Sequence, residues 1–174
     1  SVGTWYMQDE MLAYFKVQLN SIPNSVFLWI TKDDSSLILK EAEKLGFADK
    51  IIIKSSERID LPRLLSICDA SIFFIKPFFS KKASSPTKQA ELLGMGIPLI
   101  CNSNVGDTKE ILEKEHVGLV VCDFNKAAYQ NIVDSLSDIT KIDKEHLRNV
   151  AIKHFSLKEG VNKYNEVYKG LINN

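Results

Sequence analysis

Short apolar segments alternate with longer amphipathic ones along the 174 residues of this chain. Most of the short segments are apolar throughout, which is typical of strands covered by helices on both faces of a parallel sheet. Six of them are predicted as strands, at residues 1–5, 26–30, 50–53, 70–75, 98–101 and 118–121. The strict alternation predicts an α/β fold with one Rossmann-like, doubly wound parallel sheet of about six strands.

The segments between these strands carry the end signals of helices. Ser35 and Gly46 are predicted to begin and end one helix, as hydroxyl cap and terminal glycine, and Asp60 with Pro62 marks the start of another. Two closing helices are predicted at residues 144–154 and 157–172, with no strand between them. On the last helix we expect an apolar face to pack on a neighbouring surface, through Val161, Tyr164, Val167, Tyr168 and Leu171.

Length and composition fit one soluble domain. Hydrophobic residues make up 45% and charged residues 25% of the chain, both near the averages for globular domains. The 22 basic and 22 acidic residues cancel, so we expect no nucleic-acid partner. No apolar run approaches the roughly 20 residues that span a bilayer. The three cysteines form no CxxC pair, which argues against structural zinc and predicts buried thiols in a reducing cytoplasm.

The segment after the fourth predicted strand, residues 76–86, is the most informative loop. Ligands of open parallel sheets bind beyond the carboxyl ends of the strands, and a loop of this length is unusual between a strand and a helix. It ends at a predicted helix N-terminus, which favours anions. Lys88 in the first helical turn opposes the helix dipole, so it suggests an external anion such as a diphosphate. The candidate phosphate residues are Lys76, Ser84, Ser85, Thr87 and Lys88, and a surface loop of solvated lysines is the alternative.

Glu91 lies one turn further along the same predicted helix. Its carboxylate is expected to face the loop side of the sheet, where it can accept two hydrogen bonds from a vicinal diol such as a ribose. The alternative is an ordinary i, i+3 pair with Lys88, which contributes only about 0.2–0.5 kcal/mol.

Other candidate chemistry is weaker. His116, His146 and His154 have neither metal-ligand spacing nor a partnered nucleophile, so we expect solvated or packing roles. No GxGxxG motif follows the first predicted strand, which argues against a dinucleotide site. Residues 33–36 follow the second strand and are predicted to cap a helix rather than to accept a phosphoryl group.

Residues 86–100, PTKQAELLGMGIPLI, resemble the donor-site signature of the retaining glycosyltransferases of the GT-B architecture, family 4. The resemblance continues through Gly106-Asp107 and Glu110-Ile111 to the glycine that begins the sixth predicted strand. It also includes Asp69-Ala70 before the fourth strand, and His154-Phe155-Ser156 before the closing helix. Nearly the whole chain is covered, and the order of the motifs is more specific than any one of them.

The resemblance implies that residues 1–174 form the donor-binding lobe, with Glu91 on the ribose and the preceding loop and helix N-terminus on the phosphates. The family's commonest form has a second glutamate eight residues earlier, where this chain has Ala83. Its basic pair after the first strand is also missing, and lysines of the long loop, Lys76, Lys81 or Lys88, are expected to substitute. The resemblance places the nucleobase near Ser55, Ser56, Glu57 and Arg58, and the first-strand loop at Gly3, Thr4 and Trp5.

The activity that the resemblance implies is retaining transfer of a hexosyl group, without a metal or another cofactor. A nucleotide-diphosphate sugar is the donor substrate, and a saccharide or lipid-linked acceptor receives the sugar, as in polysaccharide or glycoconjugate biosynthesis. The acceptor is expected on an N-terminal lobe of the same polypeptide, so this lobe alone is expected to be inactive. We expect the full-length protein in the cytoplasm, at the inner face of the membrane.

No catalytic residue is identified by the sequence, and two alternatives stay open. One is a non-catalytic interaction module that kept the fold, which the broken two-glutamate pattern at Ala83 favours. The other is a nucleotide-sugar epimerase of the same architecture, and the lack of a His, Asp and Glu acid–base set at the loop ends weighs against it.

Overall fold

The computed structural model describes residues 5–172 and has five strands in that range. They are β1 (Phe27–Ile30), β2 (Ile51–Lys54), β3 (Ser71–Phe73), β4 (Leu99–Asn102) and β5 (Gly118–Val121). The predicted strand at residues 1–5 lies outside the described residues except for Trp5, which is in a turn. The other five predicted strands are present, each within two residues of its expected ends.

Helices connect consecutive strands and close the chain. They are α1 (Gln8–Ser21), α2 (Ser36–Leu45), α3 (Leu61–Leu65), α4 (Thr87–Gly94), α5 (Thr108–Glu115), α6 (Lys126–Asp134), α7 (Leu136–Ile139), α8 (Lys144–Phe155) and α9 (Leu157–Ile172). Short 3₁₀ turns precede β2 and α3, and one lies at Phe79–Ala83 within the long loop.

All the strand pairs in the described range are parallel. β1 pairs with β2, with Phe27 opposite Ile51, and β3, β4 and β5 form a second group in which Leu99 lies between Ser71 and Gly118. Parallel strands joined through helices confirm the predicted α/β, Rossmann-like fold class. Within residues 5–172 the five strands form two hydrogen-bonded sheets, β1–β2 and β3–β4–β5, where the sequence predicts one sheet of about six strands.

Two apolar cores lie on opposite faces of the β3–β4–β5 group. Successive residues of a strand point to opposite faces. Leu99 and Cys101 therefore belong to the core under α4, α5 and α8, whereas Ile100 belongs to the core under α1 and α6. In the latter core, the rings of Tyr14 and Tyr129 meet edge to face at 5.9 Å. Burial on both faces explains why the strand segments are apolar throughout rather than alternating.

The helix ends agree with the sequence in part. Gly46 ends α2 in the left-handed conformation, with φ of 82°, as predicted. The predicted Ser35 cap is wrong, because its side chain makes no capping hydrogen bond. Asp34 accepts instead from the backbone N–H of Ser36 at 2.9 Å. A carboxylate two residues before the helix competes with the serine hydroxyl for the same first-turn groups.

Two further features concern the surface of the domain. Burial was predicted for all three cysteines, but only Cys101 is buried: Cys68 is partly buried, and Cys122 is exposed just past the end of β5. None of the side chains on α9 is buried, and Tyr164 and Tyr168 are 70% and 59% exposed. The predicted apolar face of α9 is thus present, but it faces solvent. Within residues 5–172, none of the helices is long and apolar enough to cross a bilayer.

Candidate functional site

The loops that follow β3 and β4 come into direct contact at the carboxyl side of the sheet. The backbone N–H of Gly106 donates to the carbonyl oxygen of Lys81 at 2.9 Å. Gly106 has φ of 47°, and a Cβ at this position would lie 1.7 Å from the carbonyl oxygen of Ser84. The two loops are therefore packed closely enough that a side chain at position 106 would collide with backbone.

Asn102 fixes the point where the long loop leaves the sheet. Its side chain is buried at the end of β4, and its amide bonds both backbone groups of Ile75. Oδ1 accepts from the Ile75 N–H at 2.8 Å, and Nδ2 donates to the Ile75 carbonyl at 2.9 Å. The sequence interpretation placed Asn102 in a loop and missed this role. The available signal was a polar amide that directly follows a wholly apolar strand.

A cavity of about 240 Å³ lies between these two loops, and its lining residues end just before α4 in the sequence. Pro86 occupies the N-cap of α4, and no side chain caps the helix. A helix N-terminus without a cap leaves first-turn N–H groups available to an anion. The lining residues are Lys82, Ala83, Ser84, Ser85, Gly106 and Asp107. The structure thus brings Ser84 and Ser85 into one cavity, and Thr87, Lys88 and Lys76 are not among its lining residues.

Lysines of the long loop and of α4 lie over aromatic rings from the start of the described chain. The ammonium of Lys81 is 4.2 Å from the ring centroid of Trp5, and that of Lys88 is 3.9 Å from the ring centroid of Tyr6. Lys76 donates its backbone N–H to the Trp5 carbonyl at 2.9 Å. The ammonium groups of Lys81 and Lys88 therefore place positive charge beside the first loop, although that loop has no basic residue. Gly3 and Thr4, predicted in the same loop, lie outside the described residues.

Glu91 forms a salt bridge with Arg58. The distance from Arg58 Nη2 to Glu91 Oε1 is 2.5 Å, and the Glu91 side chain is 47% exposed. Lys88 lies over the Tyr6 ring, so the ion pair of Glu91 in this structure is with the β2 loop rather than with its own helix. The contact connects α4 to the loop in which the nucleobase was predicted.

A second cavity, of about 390 Å³, lies in the loop that follows β2. Three of the four predicted nucleobase residues line it, while the fourth, Arg58, points to Glu91. The carboxylate of Glu57 also forms a salt bridge with Lys32, with 2.5 Å between Nζ and Oε1. The sequence interpretation missed four lining residues, which are Lys54, Asp60, Arg63 and Leu64. The complete lining is Lys54, Ser55, Ser56, Glu57, Asp60, Arg63 and Leu64.

Gln89 lies on the buried side of α4, between the predicted ligand residues Lys88 and Glu91. It is fully buried, and within residues 5–172 neither its amide nitrogen nor its amide oxygen has a hydrogen-bond partner. A buried amide without partners is costly, because its hydration is lost and nothing replaces it.

Two of the three histidines, His146 and His154, contact Glu115 where α5 meets α8. Glu115, only 11% exposed at its side chain, accepts from Lys153 Nζ and from His154 Nε2, each at 2.9 Å. Hydrogen bonds from Lys153 and His154 lower the pKa of Glu115 from 4.5 to about 2. The ring of His146 contacts the Glu115 carbonyl at 2.8 Å. Among the described residues, no group of three or more His, Cys, Asp or Glu side chains is arranged to hold a metal ion.

Comparison with known proteins gives the fold. No protein-family model and no curated protein matches the chain. Three similar solved structures are those of WaaG, a glycosyltransferase involved in lipopolysaccharide biosynthesis, of the pneumococcal O-GlcNAc transferase GtfA in complex with UDP and GlcNAc, and of AviGT4, a glycosyltransferase involved in avilamycin A biosynthesis.

The similarity is in shape rather than in sequence. The TM-scores are 0.69 for WaaG, 0.70 for GtfA and 0.64 for AviGT4, at identities of 18%, 16% and 15%. The matches cover 88%, 95% and 95% of this chain, but only 41%, 33% and 48% of those proteins. The chain thus spans less than half the length of each enzyme. It has the fold of one lobe of the GT-B glycosyltransferases, as the sequence predicted.

Proposed function

We propose that this chain is the donor-binding lobe of a glycosyltransferase and binds a nucleotide-diphosphate sugar. The observation that carries the proposal is the cavity at the N-terminus of α4, where Ser84 and Ser85 meet the loop after β4. It lies at the carboxyl ends of the strands, where open parallel sheets bind ligands. The fold shared with glycosyltransferases makes a sugar donor the ligand class to test first.

The phosphate end of the donor is assigned to the α4 cavity. Ser84 and Ser85 offer hydroxyl donors, and Lys82 offers positive charge from the same lining. Asp107 also lines the cavity and would repel a phosphate, so further cations are needed. Lys81 and Lys88 are the nearest candidates by sequence.

The aromatic rings do not hold these two lysines firmly. A cation over an aromatic ring gains about 0.5–1 kcal/mol at an exposed site such as Trp5 and about 2 kcal/mol at a desolvated one. Each hydrogen bond to a charged group contributes about 1.5–3 kcal/mol, and a diphosphate can accept several. The ammonium groups of Lys81 and Lys88 can therefore leave Trp5 and Tyr6 for a diphosphate with a net gain. We assign them the role that the absent basic pair of the first loop has in the family.

We assign the nucleoside end of the donor to Glu91 and to the loop that follows β2. The carboxylate of Glu91 accepts the ribose hydroxyls, and the base enters the cavity lined by Ser55, Ser56 and Glu57. The contact between Arg58 and Glu91 supports this order, because it brings the candidate base site next to the candidate ribose ligand.

The reaction step assigned to this lobe is electrostatic. As the bond from the sugar to the diphosphate breaks, negative charge grows on the leaving phosphate, and preorganised N–H, hydroxyl and ammonium donors stabilise it. We propose hexosyl transfer with retention, without a metal, to a saccharide or lipid-linked acceptor held by an N-terminal lobe. The proposed setting is polysaccharide or glycoconjugate biosynthesis in the cytoplasm, at the inner face of the membrane.

Calorimetry on this chain tests the donor site. We expect binding of one of UDP, GDP or ADP, or of its sugar conjugate, unchanged by EDTA, and no transfer by the lobe alone. Glu91→Ala should weaken the binding about tenfold or more, since it removes a charged hydrogen-bond partner. Arg148→Ala, an exposed arginine on α8, is the matched control. Absence of heat with all of these nucleotides at millimolar concentrations would refute the proposal.

A non-catalytic module is the second candidate, and Ala83 is the observation that favours it. This residue lines the phosphate cavity at the position where the family's commonest form has a glutamate. Glu91→Ala in the full-length protein separates the two functions. A transferase loses most of its activity, whereas an interaction module that acts without a donor keeps its biological function.

A further inference from the structure

The contact between Arg58 and Glu91 is notable for where it lies, not for the stability it provides. The two side chains come from the β2 loop and from α4, 33 residues apart in sequence, and are 88% and 47% exposed. Exposed ion pairs of this kind contribute about 0–1 kcal/mol to folding, because water screens them. Fold stability therefore gives little reason to place an arginine at this position.

The two ends of the contact differ in how firmly they are held. Arg58 follows Glu57, whose carboxylate pairs with Lys32 at 2.5 Å. That pair is itself exposed, at 58% and 73%, so it holds the β2 loop only weakly. Glu91 lies in the middle of α4, whose neighbouring Leu92 and Leu93 are buried in the core. The packing of α4 therefore fixes the position of Glu91, and Arg58 reaches it from a loop that is held less firmly.

Arg58 contacts one of the two carboxylate oxygens. Its Nη2 bonds Oε1 of Glu91, and Oε2 is not part of that contact. A free glutamate side chain samples several rotamers, and ordering it on binding costs conformational entropy. A carboxylate already held through one oxygen presents the other oxygen in a fixed direction.

We infer that Arg58 is a positioning residue for the donor: it orients the carboxylate of Glu91 so that this carboxylate can accept the ribose hydroxyls. The inference rests on the proposed donor site. It assigns to Arg58 a role through Glu91 rather than a direct contact with the nucleobase.

Selectivity for ribose is the readout that separates this role from others. If Arg58 acts through Glu91, Arg58→Ala weakens the ribonucleoside diphosphate that the wild type binds by about three- to tenfold. It leaves the affinity for the 2′,3′-dideoxy form nearly unchanged, because this form lacks both hydroxyl partners of the carboxylate. The ratio of dideoxy to ribo dissociation constants therefore falls toward one.

Three further variants complete the experiment. Arg58→Lys keeps the charge and should restore part of the ratio. Arg58→Ala combined with Glu91→Ala should bind like Glu91→Ala alone, because residues that act through one another are not additive. Arg148→Ala should behave like the wild type. Circular dichroism of each variant checks the fold.

Two results would overturn the inference while the proposed function stands. Equal weakening of ribo and dideoxy ligands by Arg58→Ala would mean that the arginine contacts base or phosphate directly. Tighter binding by Arg58→Ala would mean that the arginine masks Glu91. If the wild-type chain binds none of the nucleotides, the proposed function itself fails, and the inference fails with it.

Discussion

Gly106 is the residue at which the two ligand-side loops approach most closely. Its φ of 47° and the 1.7 Å that would separate a Cβ from the Ser84 carbonyl oxygen both exclude a side chain. We expect Gly106→Ala to destabilise the domain by about 2–4 kcal/mol, because backbone must move to admit the methyl group. The free energy of unfolding in urea measures this.

Gly160→Ala is the matched control for that substitution. Gly160 lies in helix α9, and nothing is within 4 Å of the position that its Cβ would occupy. Alanine in a helix interior is favoured over glycine by about 0.5–1 kcal/mol. Equal effects of the two substitutions would show that the loops around Gly106 adapt freely.

Gln89 carries a second prediction at this scale. Because its buried amide has no partner within residues 5–172, Gln89→Met should raise the free energy of unfolding by about 1–2 kcal/mol. Gln130→Met is the comparison, since the Gln130 amide donates to Ser21 at 3.1 Å and to Asp134 at 2.8 Å. A loss of stability at position 89 would show that the amide is hydrogen-bonded in solution.

Individual residues were predictable where their role is local. The conformation of Gly46 follows from the end of one helix, and it was predicted correctly. Contacts between distant segments were not predictable. The partner of Glu91 is 33 residues away, and its choice depends on how α4 lies against the β2 loop. The roles of the predicted ligand residues toward a donor stay predictions, because they depend on a bound molecule.

At the scale of elements, α5 is attached to α8 through Glu115. Its pKa of about 2 lies below the 4.5 of the free side chain, so the unfolded chain takes up the proton first as the pH falls. The stabilisation is present in full above about pH 4.5 and is lost as the pH falls toward 2. We expect Glu115→Gln to remove this part of the pH dependence, measured as the urea midpoint at a series of pH values.

Glu113→Gln serves as the control for that series. Glu113 pairs with Lys109 at 3.7 Å on the exposed side of the same helix, and both side chains are about half exposed. Its removal should shift the curve little. If the wild-type and Glu115→Gln curves stay parallel between pH 4.5 and 2, the contact does not stabilise the fold.

The elements themselves were largely readable from the sequence. Helix α9 has the predicted ends, and its neighbour α8 ends one residue later than expected. Helical spacing of apolar residues in α1 is confined to residues 9–15, because the rest of the helix is mostly polar and Val17 is the buried residue among positions 16–21. The 3₁₀ turn at Phe79–Ala83 lacked a periodic signal, since one short turn has no repeat to detect.

For the whole molecule, α9 is the element that this lobe does not need for its own packing. None of its residues is buried, so we expect a chain that ends at Ser156 to melt within about 3 °C of the 174-residue chain. A chain that ends at Asp143 should fail to fold, because it loses Leu147 and Val150 from the core. Thermal denaturation followed by circular dichroism measures both. A large drop on removal of α9 alone would mean that its apolar face packs in solution.

The alternation of strands and helices along the chain was predictable, whereas the shape of the edge at which the loops gather was not. Alternating segments determine a doubly wound sheet, and that sheet determines the edge at which loops gather. The cavity beside Ser84 depends on contacts between the loops after β3 and β4, such as the hydrogen bond from Gly106 to Lys81. Those contacts have no sequence pattern of their own.

The amide of Asn102 has a consequence for how the long loop exchanges hydrogen with solvent. Because the Ile75 N–H donates to a buried side chain, it should exchange slowly with deuterium, on the timescale of the sheet. Ser84 and Ser85, at the far end of the loop, should exchange faster and slow down when a nucleotide is added. Protection that spreads back to Ile75 only on binding would mean that the base of the loop is not fixed beforehand. A fixed base confines the rearrangement on binding to the ten residues that follow it.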